Sequence, residues 1–177
     1  QICASESLFE IQISGQGGHA SMPHVGVDAI TVGSEMVQAL QTIVSRKLSP
    51  GSGVVVSVTE FLTDGLRNVL PGHATLKGDV RARLPEDRMN VEKFMRQIVV
   101  GVAAAHGVGV KMSFVTEFIE TINSKGPVEA AMLTAQTMGL NAVSDRPAMS
   151  FSEDFAYFCE AIPGCFLLLG NGTSGAH

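Results

Sequence analysis

The stretch SGQGGHASMPH, residues 14–24, surrounds His19 and His24 with three glycines and one proline. This composition neither extends a helix nor builds a core, so it predicts a loop. An imidazole N–H on a loop can donate a hydrogen bond to a developing oxyanion, and glycines permit close backbone approaches. The alternative interpretation is a surface loop whose His19 only caps the next helix. We do not expect His19 and His24 to share a metal ion.

Alternating apolar residues predict the elements that would hold this loop. Strands are expected at 8–14, 54–62, 74–84 and 108–118, and helices after an Asp28 N-cap and at 88–106. The apolar faces predicted for the two helices are Ile30, Gly33, Val37, Leu40 and Val44, and Val91, Phe94, Ile98, Val102 and Ala105. The order β-α-β-β-α-β predicts a ferredoxin-like unit, in which two helices cover one face of a four-stranded antiparallel sheet.

The opposite sheet face is predicted to carry charges from the strand at 74–84. These charges are Lys77, Asp79, Arg81 and Arg83. They have two interpretations: a solvated face, or an anion site beside the glycine-rich loop. The strand at 54–62 begins with residues 54–58, VVVSV, which lack proline and charge. In a ferredoxin-like sheet this strand lies at an edge, where such a run favours pairing with a second copy of the chain.

Residues 119–177 do not repeat this pattern. We expect a helix at 127–138 and a short buried strand of the parallel type at 165–170, CFLLLG. These elements cannot form a core alone, so they are interpreted as the end of an α/β domain whose front is missing.

Charge and composition exclude several classes of function. The chain has 177 residues with 12 basic and 17 acidic side chains, a net charge of −5, and no basic run, so we expect no nucleic-acid partner. No apolar stretch is long enough to predict a membrane span. The three cysteines are an odd number without metal-type spacing, which favours a reducing, cytoplasmic setting.

Three motifs occur together and in order: GQGGHASMPHVGVDAI, RNVLPGHATLKGDVR, and SFSEDFAYF followed by IPGCFLLLGNG. With them the chain resembles the M20 metallopeptidases, within the amidohydrolase branch that includes hippurate hydrolases, N-acyl-amino-acid amidohydrolases and auxin-conjugate hydrolases. The resemblance implies a ferredoxin-like dimerisation (lid) domain at 7–118 and the C-terminal segment of an α/β catalytic domain at 119–177. It also implies that the N-terminal catalytic half, which holds most metal ligands and the general base, is absent from this chain.

The resemblance also implies a function. The whole protein would be a homodimeric hydrolase of N-acyl amino acids or small peptides with two divalent ions (Zn, Mn, Co or Ni), none of which this chain would bind alone. The alternative, from a different class, is a non-catalytic ferredoxin-like module that binds a ligand or dimerises for regulation.

Roles for single residues follow from the same resemblance. His19 would be the catalytic histidine that the lid presents to the active site of the other subunit. Asn68 and Arg81 would contact substrate, Asn68 through the scissile carbonyl and Arg81 through a carboxylate. Glu153 and Asp154 would line the cleft.

Other interpretations of these residues stay open. Arg81 can instead form a strand salt bridge with Asp79. Glu153 and Asp154 can be helix N-terminal carboxylates with Ser152 as the cap. His73 is expected to start a strand, and whether His177 is a metal ligand is left open.

Overall fold

The computed structural model describes residues 1–170 and 172 of the chain. Strands lie at Glu6–Ser14 (β1), Gly18–His19 (β2), Val55–Thr63 (β3), Val69–Leu70 (β4), His73–Arg81 (β5) and Gly109–Phe118 (β6). Helices lie at Ala29–Thr42 (α1), Pro85–His106 (α2), Lys125–Thr137 (α3) and Phe155–Ala161 (α4). The four long strands form one antiparallel sheet in the order β3-β5-β1-β6. This order confirms the ferredoxin-like fold class, with β3 at an edge.

Alternation along β1 and β5 works as predicted. Phe9, Ile11 and Ile13 are buried beneath the helices, whereas Gln12 and Ser14 are exposed. On β5 the charged side chains lie on the face away from the helices and are half-buried. The strand ends at Arg81 rather than at residue 84, because the chain turns there into α2. The helices therefore cover the apolar face of the sheet, and the face with the charged side chains of β5 is not covered by them.

Helix α1 begins where predicted, and its buried face is rotated from the predicted one: Gly33 and Leu40 are buried as predicted and Val37 packs against the core. The Asp28 carboxylate accepts hydrogen bonds from the Ile30 N–H at 2.9 Å and the Thr31 hydroxyl at 2.8 Å, which is an N-cap. Ile30 and Val44, predicted for the core, are 43% and 38% exposed. The helical residues that are buried are Ala29, Val32, Gly33, Met36 and Leu40. The Phe61 ring of β3 packs against Gly33, where a Cβ would lie 2.6 Å from a ring carbon.

Helix α2 shows a smaller version of the same rotation. Its buried residues are Val91, Met95, Val99 and Ala103. Of the predicted face, Val91 is buried, Phe94, Ile98 and Val102 are half-buried against the core, and Ala105 is exposed. Both helices carry more apolar residues than one stripe, so sequence spacing alone left two neighbouring stripes possible.

The start of the chain lies between two later segments. The Ile2 N–H donates to the Thr121 carbonyl at 2.9 Å, and the Ala4 N–H donates to the Met149 carbonyl at 3.0 Å. Cys3 and Thr121 are fully buried there. We call residues 1–5, 119–121 and 149–152 the junction. It joins the sheet unit to the last third of the described chain.

The predicted strand at 165–170 is wrong. These residues form no strand in the part of the chain that the structure describes, and Leu169 is 96% exposed. A buried parallel strand needs neighbouring strands for its backbone hydrogen bonds, and no described strand lies beside this segment. The Asn123 side chain instead holds Phe166, accepting from its N–H at 2.8 Å and donating to its carbonyl at 2.9 Å. The domain boundary at residues 118 and 119 stays a prediction.

No helix of the described residues has the length and apolar character needed to cross a membrane.

Candidate functional site

His19 lies on a two-residue strand that pairs with a second short strand. In this ribbon of β2 and β4, His19 stands opposite Val69 and Gly18 opposite Leu70. The Ala20 N–H donates to the Asn68 carbonyl at 3.0 Å, and the Gly15 N–H donates to the Gly72 carbonyl at 2.8 Å. The ribbon therefore brings His19 beside Asn68 at the end of the sheet where β1 ends and β5 begins. We call this region the His19 end.

Close packing explains most of the glycines in this loop. A Cβ on Gly17 would lie 2.8 Å from the Leu70 carbonyl oxygen, and one on Gly26 would lie 2.5 Å from the Gln16 oxygen. Neither glycine has a positive φ. Gly18 differs, because a Cβ there would meet nothing within 4 Å. The backbone of the loop is thus packed tightly against its neighbours rather than free to swing.

The loop that carries Asn68 is closed at its base by Asp64 and His73. The Asp64 carboxylate accepts from the His73 N–H at 2.9 Å, and its second oxygen lies 2.8 Å from His73 Nδ1. These hydrogen bonds hold the pKa of Asp64 below its ordinary value. At the tip, Leu66 and Val69 exchange two backbone hydrogen bonds of 3.1 Å. His73 starts β5, as expected, and helps to fix the loop.

The side chains of His19 and Asn68 are exposed and largely unengaged. His19 Nδ1 lies 3.2 Å from the Ser21 backbone nitrogen and 2.8 Å from the Ser21 hydroxyl. Within the described residues, neither His19 Nε2 nor the Asn68 amide has a hydrogen-bond partner. Because Asp28 caps α1, the structure does not support the interpretation of His19 as a helix cap. Two hydrogen-bonding side chains of the same ribbon thus face solvent.

Arg81 lies at the other end of the sheet and is fully engaged. Its Nη2 lies 2.9 Å from Glu6, its Nε 2.8 Å from Asp79 and its Nη1 3.2 Å from the Ser152 hydroxyl. Ser152 in turn donates to Glu6 at 2.6 Å. The strand salt bridge to Asp79 is therefore present, and a substrate carboxylate would have to displace one of these partners. We call this region, with the adjoining junction, the Arg81 end.

Glu153 belongs to the same region. Its side chain is half-buried. The pKa of the Cys3 thiol is raised mainly because Cys3 is buried, and also because the negative charge of Glu153 lies near it. Asp154 is exposed and directly precedes α4. Ser152 does not cap that helix, contrary to the alternative prediction, because its hydroxyl bonds to Glu6 instead. Cleft-lining roles for Glu153 and Asp154 stay predictions.

The two ends do not meet within one chain. Strand β1 has nine residues between Glu6, at the Arg81 end, and Ser14, at the His19 end. At about 3.4 Å per residue this separates them by about 27 Å. His19 and Asn68 therefore form one group, and Arg81 and Glu153 another. One substrate of amino-acid size cannot touch both groups of a single copy.

The described residues do not fit a metal centre. No group of three or more His, Cys, Asp or Glu side chains able to hold a metal ion occurs among them. His24 lies in a short 3-10 turn at Pro23–Val25. His177 lies outside the described residues.

Two contacts of the His19 end were missed by the sequence reasoning. Ser21 stands two residues after His19, a spacing at which Ser often bonds locally, and that spacing is the signal that could have found it. The pairing of Asp64 with His73 has no such signal, because it depends on how the loop closes. The Ser21 contact positions the His19 ring, and the Asp64–His73 contact closes the loop that carries Asn68; neither adds a further exposed hydrogen-bond donor.

Comparisons with known proteins agree with this architecture. Residues 8–106 match the family model described as the peptidase dimerisation domain of the M20 family. The chain is 34% identical to N-acetylcysteine deacetylase of Bacillus subtilis (strain 168) over 99% of this chain and 46% of that protein. It is 40% identical to N-acyl-L-amino acid amidohydrolase of Geobacillus stearothermophilus over 68% of this chain and 32% of that protein.

A solved structure agrees as well. The chain matches a Bacillus subtilis protein described as a dinuclear metal binding peptidase from the M20 family, with a TM-score of 0.75 and 28% identity, over 92% of this chain and 40% of that one. The chain thus spans less than half the length of the relatives it matches. Because the dimerisation model covers more than half of the chain and the fold agrees with it, the chain belongs to the M20 family.

Proposed function

We propose that this chain is part of a metal-dependent amidohydrolase that cleaves N-acyl amino acids, hippurate-like substrates or small peptides. The observation that carries the proposal is the His19 end, where a backbone-fixed ribbon carries two exposed polar side chains, His19 with its Nε2 and Asn68 with its amide facing solvent. Relatives named for the removal of acyl groups from amino acids support this substrate class.

Amide hydrolysis passes through a tetrahedral oxyanion, and N–H donors aimed at that oxygen stabilise the transition state. One such donor is worth about 3–4 kcal/mol in favourable sites. We assign this role to the His19 imidazole and a contact with the scissile carbonyl to the Asn68 amide. The two divalent ions expected from the resemblance find no donor set among the described residues, so no step is assigned to them. The dinuclear relative supports them for the whole protein.

A second copy of the chain resolves the separation of the two ends. Strand β3 lies at the sheet edge, with Val55 near the Arg81 end and Thr63 near the His19 end. If β3 pairs antiparallel with its own copy about a two-fold axis, the His19 end of one copy lies beside the Arg81 end of the other. We therefore propose that His19 acts in the active site of the partner subunit.

The structure refines the pairing segment. A bulge interrupts β3 between Val58 and Glu60, just after the run at 54–58 for which pairing is predicted. Val56 is 5% exposed, whereas Val55 is 42% exposed and lies on the open face of the sheet. The proposed arrangement therefore requires pairing that starts at Val55 and continues past this bulge to Thr63.

The catalytic role is tested in an active protein that contains this chain. We expect His19→Ala to lower kcat about 100- to 1,000-fold while KM changes little, because the donor acts in the transition state. His24→Ala is the matched control and retains kcat. A wild-type kcat for His19→Ala would refute the role. The 177-residue chain alone is expected to show no appreciable amidase activity with added zinc, manganese or cobalt.

Dimerisation is tested on the chain itself by sedimentation. Val56→Lys would disrupt the core, because Val56 is buried, so Val55→Lys is the better variant. We expect a wild-type dimer at tens of micromolar and a monomer for Val55→Lys, with unchanged circular dichroism. Val115→Lys, on the opposite edge strand and 53% exposed, is the control and stays dimeric. A monomeric wild-type chain would contradict pairing through β3.

The cytoplasmic location remains a prediction based on the free cysteines.

A further inference from the structure

We propose that Ser21 is a positioning residue that holds the neutral His19 imidazole in the tautomer with its proton on Nε2. The inference rests on the proposed function of His19 as an oxyanion donor. It concerns which nitrogen of that ring can donate.

Two groups of Ser21 converge on one ring nitrogen. The Ser21 backbone N–H lies 3.2 Å from His19 Nδ1, and the Ser21 hydroxyl oxygen lies 2.8 Å from the same atom. A backbone N–H can only donate, so Nδ1 has to offer its lone pair. The hydroxyl, which can rotate, donates to that nitrogen as well. Neutral imidazole carries one proton, and it must then sit on Nε2.

The backbone keeps Ser21 at this place. The Met22 N–H donates to the His19 carbonyl at 2.9 Å, which closes a turn over residues 19–22. The turn folds Ser21 back toward the ring, while the ribbon partner Val69 fixes His19 from the other side. The orientation of the ring therefore comes from contacts next to it in the chain.

The chemical consequence concerns the exposed edge of the ring. With the proton on Nε2, the edge that faces solvent presents an N–H donor, as oxyanion stabilisation requires. The other tautomer would present a lone pair there and repel a developing negative charge. The Ser21 contacts thus select the tautomer that can act before any substrate arrives.

His73 supplies an internal reference with the opposite tautomer. Its Nδ1 lies 2.8 Å from the Asp64 carboxylate, which can only accept when ionised. The neutral His73 ring must therefore carry its proton on Nδ1. One spectrum of one chain then contains both tautomers, each fixed by a different residue.

The test is ¹⁵N NMR of the imidazole rings in the 177-residue chain, in mildly alkaline solution where histidine is neutral. We expect His19 to be more completely Nε2–H than in the peptide GGHASMP, and His73 to be largely Nδ1–H. Ser21→Ala removes the hydroxyl donor and keeps the longer backbone N–H contact, so it should raise the Nδ1–H fraction of His19 part of the way to the peptide value and leave His73 unchanged. Asp64→Asn should do the reverse, and Ser21→Thr should restore the wild-type His19 signal. A His19 tautomer ratio equal to that of the peptide, or unaffected by Ser21→Ala, would overturn the proposal.

Kinetic measurements on an active protein that contains this chain distinguish the proposed catalytic role of His19 from the positioning role of Ser21. We expect Ser21→Ala to lower kcat about 3- to 10-fold at nearly constant KM, the range for one hydrogen bond, with rescue by Ser21→Thr. If His19→Ala keeps its kcat while the NMR result holds, the proposed function fails and the tautomer assignment stands. If His19→Ala loses activity while Ser21→Ala changes neither spectrum nor rate, the role of Ser21 fails alone.

Discussion

The two ends of the sheet differ in what their polar side chains are bonded to. At the Arg81 end, the guanidinium contacts Glu6, Asp79 and Ser152, and each contact lies within the chain. At the His19 end, the hydrogen bonds that fix the structure come from the backbone and from Asp64, and the His19 Nε2 and Asn68 amide face solvent.

The difference separates side chains that stabilise the fold, at the Arg81 end, from side chains that are exposed to solvent, at the His19 end. At the Arg81 end the guanidinium is bonded to three side chains of its own chain, so these contacts hold the junction to the sheet and a ligand would have to displace one of them. The His19 end uses its backbone for stability and so leaves its side chains available. We expect substitutions at the first end to change the free energy of unfolding and those of presented side chains at the second to change activity.

The largest expected effect on stability comes from Arg81→Met. Removing the guanidinium leaves Glu6 and Asp79 without their cation in a partly buried setting, since the Arg81 side chain is 22% exposed. We expect a loss of about 2 kcal/mol in the free energy of unfolding, measured by urea titration. Arg67→Met, an exposed arginine beside Asn68, should cost no more than about 0.5 kcal/mol. Equal losses in the two variants would contradict the distinction between the ends.

A pair of glycine variants tests the packing of the ribbon. The Cβ of Gly17→Ala would press on the Leu70 carbonyl, whereas that of Gly18→Ala would meet nothing within 4 Å. We expect Gly17→Ala to cost about 1–2 kcal/mol and to speed hydrogen exchange of the Ala20 amide. Gly18→Ala should change neither. Similar exchange in both variants would mean that the ribbon is looser than its contacts indicate.

The closure of the Asn68 loop should depend on acid. The hydrogen bonds from His73 lower the pKa of Asp64 in the folded chain. The Asp64 carboxylate therefore contributes its full stabilisation above the ordinary Asp pKa of about 3.9, and this stabilisation is lost as the pH falls through the lower folded-state pKa. We expect the His73 amide shift to titrate only in strongly acid solution. Asp64→Asn should abolish that titration and speed exchange of the amide. A titration midpoint at the ordinary Asp value would argue against the closure.

The smallest effect on stability is expected for Asn68→Ala. Its side chain is exposed, and the bond from Ala20 reaches its backbone carbonyl, which alanine retains. The free energy of unfolding should change by less than about 0.5 kcal/mol. Asn123→Ala is the control, because that amide makes two hydrogen bonds with Phe166, and it should cost about 1–2 kcal/mol. A large loss in the free energy of unfolding for Asn68→Ala would mean that the Asn68 side chain stabilises the fold.

The long strands and the Asp28 cap could be predicted because their signals are local. Alternation along β1 needs only nine neighbouring residues, and an N-cap needs three. Helix faces were harder, because Ile30 and Val32 belong to adjacent apolar stripes and the packing of the whole helix on the sheet decides which one is buried. The strand expected at 165–170 failed because its pairing depends on partners outside the segment.

The candidate site divides in the same way. His19 was found because its glycine-rich setting is unusual within eleven residues. Its position beside Asn68 could not be derived from spacing, since β2 and β4 have two residues each and show no alternation. The engagement of Arg81 by Glu6 and Ser152 joins residues far apart in the chain, which only the folded structure shows.

The tight backbone of the ribbon also bears on how the site can change over evolution. Gly17 and Gly26 are excluded from carrying side chains by backbone atoms that lie within 3 Å of their missing Cβ positions. A Cβ on Gly18 would meet nothing within 4 Å, and Ala20 and Asn68 are exposed. Under the proposed function, substitutions at these positions would change the groups that face a substrate while the scaffold that carries them stays constant. If this end contacts substrate as proposed, a new specificity could then arise by a single substitution that leaves folding intact.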